Sequence, residues 1–157
     1  MTADPTQAYL RTKVTTASPA ELRMLLIDGA IRFAEQTRRG YETRDLETAL
    51  EGTTKCQAIL TELICSLRPE MNAELCKRLA ALYTFMFKRM VEASISKSAE
   101  IVQEVLGLLQ YERETWGLLM QQLGSGGLRQ NDAEAPGVSS QPVPSGSAPG
   151  RRVSLQG

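Results

Sequence analysis

The stretch Thr16-Ala17-Ser18-Pro19-Ala20-Glu21, residues 16 to 21, contains the clearest helix start in the chain. The Ser18 hydroxyl can accept a hydrogen bond from the amide of Glu21, and the Glu21 carboxylate can reach back to the amide of Ser18. Pro19 suits the first helical position, where a missing N–H group does no harm. A helix is therefore predicted to begin at Pro19 and to run to about residue 41.

The residues after Pro19 repeat apolar or small side chains at helical spacing, which is the pattern of a helix that faces a core. This stripe consists of Leu22, Leu25, Leu26, Gly29, Ala30, Phe33 and Ala34. Three more helices are predicted from their capping residues. They span residues 45–68, 72–94 and 98–122, capped by Asp45, Asn72 and Ser98. The short breaks between them predict an all-α fold, an antiparallel four-helix bundle within residues 1–123.

The two ends of the chain have a different composition. Residues 6–16 contain some apolar side chains but are too few for a stable isolated helix, so they are predicted to form a mobile flap. Residues 124–157 are rich in glycine, proline and serine and poor in large apolar side chains. Such a segment cannot bury enough surface to offset its ordering entropy, so it is predicted to be a disordered tail.

The composition excludes several classes of function. The chain has 18 Lys and Arg against 18 Asp and Glu, so its overall charge does not favour nucleic acid or a membrane surface. It has no histidine, the commonest general base and metal ligand, so no catalytic residue, cofactor or metal site is predicted. Without a spanning segment or signal peptide, the protein is expected in the cytoplasm. The three cysteines are expected to be reduced core thiols.

Several helices carry more apolar residues than one stripe needs. The first predicted helix adds Met24, Ile27 and Ile31 beside its stripe, and the third adds Phe85. Either these helices are buried on several sides, or the protein dimerises through this surface, or the surface is a groove for an apolar helix. The glycines Gly107 and Gly117 inside the last helix are expected to allow close approach of another helix.

Four blocks of sequence resemble the FliS family, the flagellin-specific export chaperones of bacteria. They are Ala8-Tyr9 with the stretch 14–19, the stretch from Ala17 to Phe33, Leu82 to Ala93, and Glu104 to Leu109 continuing to Trp116. The chain departs from the family pattern at Ile27, where tyrosine is frequent, and at Ser94, where asparagine is frequent. The tail is also outside the pattern.

The resemblance implies an antiparallel bundle that binds the disordered C-terminal segment of flagellin, prevents its premature polymerisation and presents it to the export gate. It also implies that the flap with Tyr9 covers part of the groove until flagellin arrives. The residues predicted to contact the partner are Tyr9, Leu10, Val14, Met24, Ile27, Ile31, Leu60, Ile64, Leu82, Phe85, Met86, Arg89, Val102 and Leu109.

Alternatives remain at this point. The chief one is a helical adaptor that dimerises through its extra apolar surface and binds no flagellin. An all-α enzyme of the chorismate mutase type would need buried Arg and Lys residues, which here fall mostly outside the apolar stripes. The expected partners are flagellin and, beyond it, the export gate or other flagellar proteins, with no nucleic acid and no membrane insertion. The expected state is a monomer or a weak homodimer.

Overall fold

A computed structural model describes residues 4–133 of the protein, with side chains for residues 4–124. This part of the chain forms five helices and is all-α, as predicted. The helices are α1 (Pro5–Thr16), α2 (Pro19–Thr43), α3 (Leu46–Cys65), α4 (Ala73–Ser96) and α5 (Ala99–Ala133).

Helices α2 to α5 form the predicted four-helix bundle. In order around the bundle, α2 packs against α3, α3 against α4, α4 against α5, and α5 against α2. The connections between consecutive helices are short, so neighbouring helices run in opposite directions. Since α2 contacts both the next helix and the last one, it is buried on two sides.

The helix starts follow from side chains that cap free backbone amides. At α2 the Ser18 hydroxyl accepts from the Glu21 amide at 3.2 Å, and the Glu21 carboxylate accepts from the Ser18 amide at 3.0 Å. The side chains of Asp45 and Asn72 accept from the backbone amides of Thr48 and Leu75 and cap the starts of α3 and α4. These contacts confirm the capping residues predicted from the sequence.

Helices α2 and α3 approach closely at two glycines. A Cβ atom added to Gly40 would lie 2.7 Å from the amide nitrogen of Ala49, and one added to Gly52 would lie 2.6 Å from the Thr37 hydroxyl. Both distances are shorter than van der Waals contact. The missing side chains therefore set the spacing of this helix pair.

The core lies along the axis of the bundle and receives side chains from all four helices. Its largest fully buried side chains are Tyr83, Ile27, Leu60, Leu63, Met86, Met90, Leu106, Leu109, Val102 and Val105. Of the three cysteines, which are all free thiols, only Cys56 is buried. The expectation of a core thiol is wrong for Cys65, which is exposed.

The segment predicted as a flap forms a helix of its own. Residues 5–16 are helical although the segment is short, because Asp4 caps the first turn and Pro5 occupies the first helical position. Every residue of α1 is exposed. In this conformation α1 therefore does not cover a groove.

The start of the predicted tail also needs correction. Helix α5 continues through residues 124–133 instead of ending near residue 122. Glycine in a helix costs about 1 kcal/mol but does not remove a backbone hydrogen bond, so the glycines after Leu123 do not end the helix. The rest of the predicted tail, residues 134–157, lies outside the described residues.

The glycines of α5 do not have the predicted role. A Cβ atom at Gly107 would meet nothing within 4 Å, and one at Gly117 would make ordinary contact with Met24 at 3.6 Å. Close helix approach thus occurs at the α2–α3 glycines instead.

Among the described helices, none combines the length and the apolar character that crossing a membrane requires.

Candidate binding groove

An apolar groove of about 660 Å³ lies at the end of the bundle where α2 begins and α3 ends. Its walls come from the first turns of α2, the connection between α3 and α4, the first turns of α4, and α5. The apolar lining consists mainly of Leu22, Leu26, Leu67, Met71, Leu75, Leu79 and Trp116. A volume of this size falls within the usual range for sites that hold a ligand or a short peptide segment.

Large apolar side chains in the groove remain open to solvent. Leu75 is 47% exposed and Met71 is 81% exposed, and both lie on the side where α4 begins. The connection from Cys65 to Asn72 separates the ends of α3 and α4 and creates this gap. Exposed apolar side chains grouped in a concave surface are typical of a site that binds another chain.

Trp116 joins α5 to the α2 wall of the groove. Its indole nitrogen donates a hydrogen bond of 3.0 Å to the carbonyl oxygen of Ala20. One turn away, the guanidinium of Arg113 pairs with the carboxylate of Asp28 at 2.5 Å. These contacts keep Trp116 in the lining and fix α2 against α5.

Arg23 lies at the base of the groove in a polar network. Its guanidinium donates to the Tyr83 hydroxyl at 2.9 Å and to the Ser66 hydroxyl at 3.2 Å. It also lies 5.4 Å from the Trp116 ring centroid and 5.9 Å from that of Tyr83, within the range of cation–π attraction. Three elements of the bundle therefore hold one guanidinium in place.

Tyr83 carries the same network into the core. Its hydroxyl donates to the Glu112 carboxylate at 2.7 Å while it accepts from Arg23. Burial raises the pKa of Tyr83 above its ordinary value, and the hydrogen bond to Glu112 raises it further. The hydroxyl therefore stays protonated and satisfies a carboxylate that would otherwise be buried without a partner.

Five of the predicted partner-binding residues belong to the core and not to an accessible surface. They are Ile27, Leu60, Met86, Val102 and Leu109, all with no exposed area. Ile27 is buried because α2 is covered by both α3 and α5, which corresponds to the alternative that the helix is buried on several sides. A residue without solvent exposure cannot meet a guest in this conformation.

The remaining predicted residues are accessible but lie outside the groove lining. Tyr9, Leu10 and Val14 are exposed on α1, and Phe85 is exposed on α4. Met24, Ile31, Ile64 and Leu82 are partly buried. Arg89 forms ion pairs with Glu92 on its own helix and with Glu104 on α5, which ties α4 to α5. A role of these residues in binding stays a prediction.

The groove lies at a different place from the predicted partner-binding residues. Leu22 and Leu26 of its lining belong to the predicted core stripe, because their spacing equals that of the buried residues. One signal could have revealed the site: the connection between α3 and α4 contains the large apolar residues Leu67 and Met71, which are unusual in a solvated turn. An apolar connection beside two helix ends indicates a surface that binds another chain.

Comparison with known proteins agrees with the fold and identifies the family. A family model described as "Flagellar protein FliS" matches residues 2–123. The Flagellar secretion chaperone FliS of Bacillus subtilis is 32% identical over 130 residues, covering 80% of this chain and 96% of that protein. The protein of the same name from Salmonella typhimurium is 31% identical over 111 residues, covering 70% of this chain and 82% of that protein.

A solved structure gives the same architecture. The crystal structure of a bacterial flagellar chaperone aligns with a TM-score of 0.63 over 75% of this chain and 98% of that chain. At 17% sequence identity, this likeness concerns the fold alone. The family match over residues 2–123 and the two relatives above 30% identity carry the assignment. The chain belongs to the FliS family of flagellar secretion chaperones.

Proposed function

We propose that this protein is a cytoplasmic export chaperone that binds the disordered C-terminal segment of newly made flagellin without catalysing a reaction. Binding holds that segment away from other flagellin molecules and keeps it in a form that the export gate accepts. The observation that carries the proposal is the apolar groove between α2, the α3–α4 connection and α5, which presents large apolar side chains to solvent.

An apolar groove is suited to binding an unfolded amphipathic segment. An amphipathic segment that is unfolded on its own must be ordered on binding, which consumes part of the interaction free energy. Burial of apolar area on the order of 1,000 Å², at about 25 cal/mol per Å², supplies more than that ordering requires. The groove and the exposed side chains of α1 and of Phe85 together offer surfaces for a long guest.

Isothermal titration calorimetry of the full chain with a peptide of the C-terminal helical segment of flagellin from the same bacterium tests this function. We expect binding near one to one with a negative heat-capacity change, because apolar surface is buried. Leu75→Asp places a charge in the groove and is expected to weaken binding by more than about tenfold.

Leu50→Asp is the matched control, because Leu50 is 63% exposed on α3 and is not part of the groove lining. It should bind the peptide as the unaltered protein does. Absence of heat with a folded protein would overturn the proposal and would direct attention to self-association. Equal weakening by both variants would show that the groove is not the binding surface.

A further inference from the structure

The groove lining contains positive charge without matching negative charge. Among the described residues, its charged members are Arg23 and Arg68, and it includes no Asp or Glu. Within residues 4–124 neither guanidinium forms an ion pair. An apolar groove with cationic walls favours an apolar guest that also carries a negative charge.

The guanidinium of Arg23 is already ordered in a position where it can pair with a negative charge of the guest. The hydroxyls of Tyr83 and Ser66 fix its guanidinium, and the Trp116 ring lies against it. The carboxylate of this network, Glu112, is buried against the Tyr83 hydroxyl and does not line the groove. A side chain that is already ordered loses little further entropy when it pairs with a guest.

Arg68 belongs to a different wall of the groove. It is exposed and lies in the connection between α3 and α4, whereas Arg23 comes from the second turn of α2. A guest that occupies the groove between these elements therefore meets a guanidinium from more than one side. Guanidinium groups bind carboxylates in a directional, bidentate geometry, so this arrangement selects for position as well as for charge.

The charge of α1 argues against α1 as the occupant. Residues Pro5–Thr16 contain Arg11 and Lys13 and no acidic residue. Placing these cations in a groove that already holds Arg23 and Arg68 would bring like charges together, which disfavours binding. This agrees with the exposure of every α1 residue in the structure.

We propose that the groove selects a guest helix that carries an Asp or Glu side chain between its apolar anchors, and that Arg23 and Arg68 pair with this carboxylate. The inference rests on the proposed function and names a feature of the flagellin segment that the groove recognises. Apolar contact supplies the affinity, and the guanidinium pair sets the register of the guest.

The test replaces each Asp and Glu of the flagellin peptide in turn by its amide and measures binding to the full chain by calorimetry. One replacement is expected to weaken binding about tenfold, the usual effect of losing a charge-assisted hydrogen bond, and the others should change it little. Arg68→Gln should weaken the unaltered peptide to a similar degree. It should not weaken the critical amide peptide further, because that peptide no longer carries the charge with which Arg68 pairs.

The variants are chosen so that folding does not confuse the result. Arg68 is exposed in a connection and makes no ion pair with described residues, so Arg68→Gln should melt like the unaltered protein. Arg23→Gln is the second variant, accompanied by a melting curve because it also removes the contacts to Tyr83 and Ser66. Arg39→Gln, an exposed residue near the other end of α2, is the control and should leave binding unchanged.

The outcomes separate the two proposals. If the unaltered peptide does not bind, the proposed function fails and this inference fails with it. If the peptide binds but no amide replacement matters, the inference alone is overturned. A loss of binding only when the peptide's C-terminus is amidated would assign the charge to the α-carboxylate and would also overturn the side-chain assignment.

Discussion

The substitution Gly52→Ala should destabilise the bundle, although alanine is the better helix former. The new methyl group would lie 2.6 Å from the Thr37 hydroxyl and 2.7 Å from the carbonyl oxygen of Phe33. The carbonyl belongs to the α2 backbone and cannot rotate away, so α2 and α3 must move apart. Overpacking of this kind costs roughly 1–3 kcal/mol or more, which outweighs a gain in helix propensity of about 1 kcal/mol.

Gly107→Ala is the matched control for this prediction. The substitution is chemically identical, but its methyl group meets nothing within 4 Å on the exposed side of α5. Only the propensity gain remains, so the free energy of unfolding should rise by about 0.5–1 kcal/mol. The two variants should therefore shift stability in opposite directions.

Thermal melts followed by circular dichroism measure the difference. For a domain of this size, a change of 1 kcal/mol moves Tm by about 4 °C, so the two variants should differ by several degrees. Urea unfolding gives an independent value of the free energy of unfolding. If Gly52→Ala were as stable as Gly107→Ala, the close α2–α3 contact would be wrong and the helix spacing would have another cause.

Three further predictions concern the caps, the thiols and the buried hydroxyl. Ser18→Ala removes the α2 cap and should lower the free energy of unfolding by about 1 kcal/mol in urea titration, whereas Ser18→Asp should preserve it. Cys65 and Cys76 line the groove and should react with a thiol reagent, and bound flagellin peptide should slow this reaction. Cys56 should stay unreactive in the folded protein, because burial raises its pKa to about 12; its modification at pH 8 at the rate of the other two would contradict the structure. The pKa of Tyr83 is raised above the value of 10.0 for the free side chain, so its contribution to stability is complete below pH 10 and declines as pH rises above it. Tyr83→Phe should remove that decline and, at neutral pH, cost about 1–3 kcal/mol by leaving a buried carboxylate without its donor; an unchanged alkaline melting profile would refute this assignment.

The starts of the helices could be predicted because capping is local chemistry. Each of the side chains of Ser18, Asp45 and Asn72 accepts a hydrogen bond from an amide three residues further along the chain. Both partners of the bond are therefore visible in one short stretch of sequence. The ends were less accurate. Helix α3 ends at Cys65 rather than at residue 68, because Pro69 disfavours helical geometry in the residue before it and the chain must turn towards α4.

Apart from the apolar connection between α3 and α4, the lining of the groove could not be predicted from the sequence, because it depends on how far apart elements from different parts of the chain lie. Leu75 at the groove and Leu60 in the core have the same side chain and similar helical spacing, yet one is 47% exposed and the other is buried. The polar network could not be predicted from the sequence for the same reason. Arg23, Tyr83 and Glu112 come from three helices, and no local pattern marks them as partners.

The place of Trp116 in the groove has a consequence for the protein during its own synthesis. Helices α2 and α3 are adjacent in sequence and can pair as soon as both have left the ribosome. The groove wall that α5 supplies is still missing at that moment, since about fifty residues separate the end of α3 from Trp116. At 5–20 residues per second this delay is roughly 3–10 seconds. A nascent or truncated chain therefore lacks the complete groove, which forms only when the last helix closes the bundle.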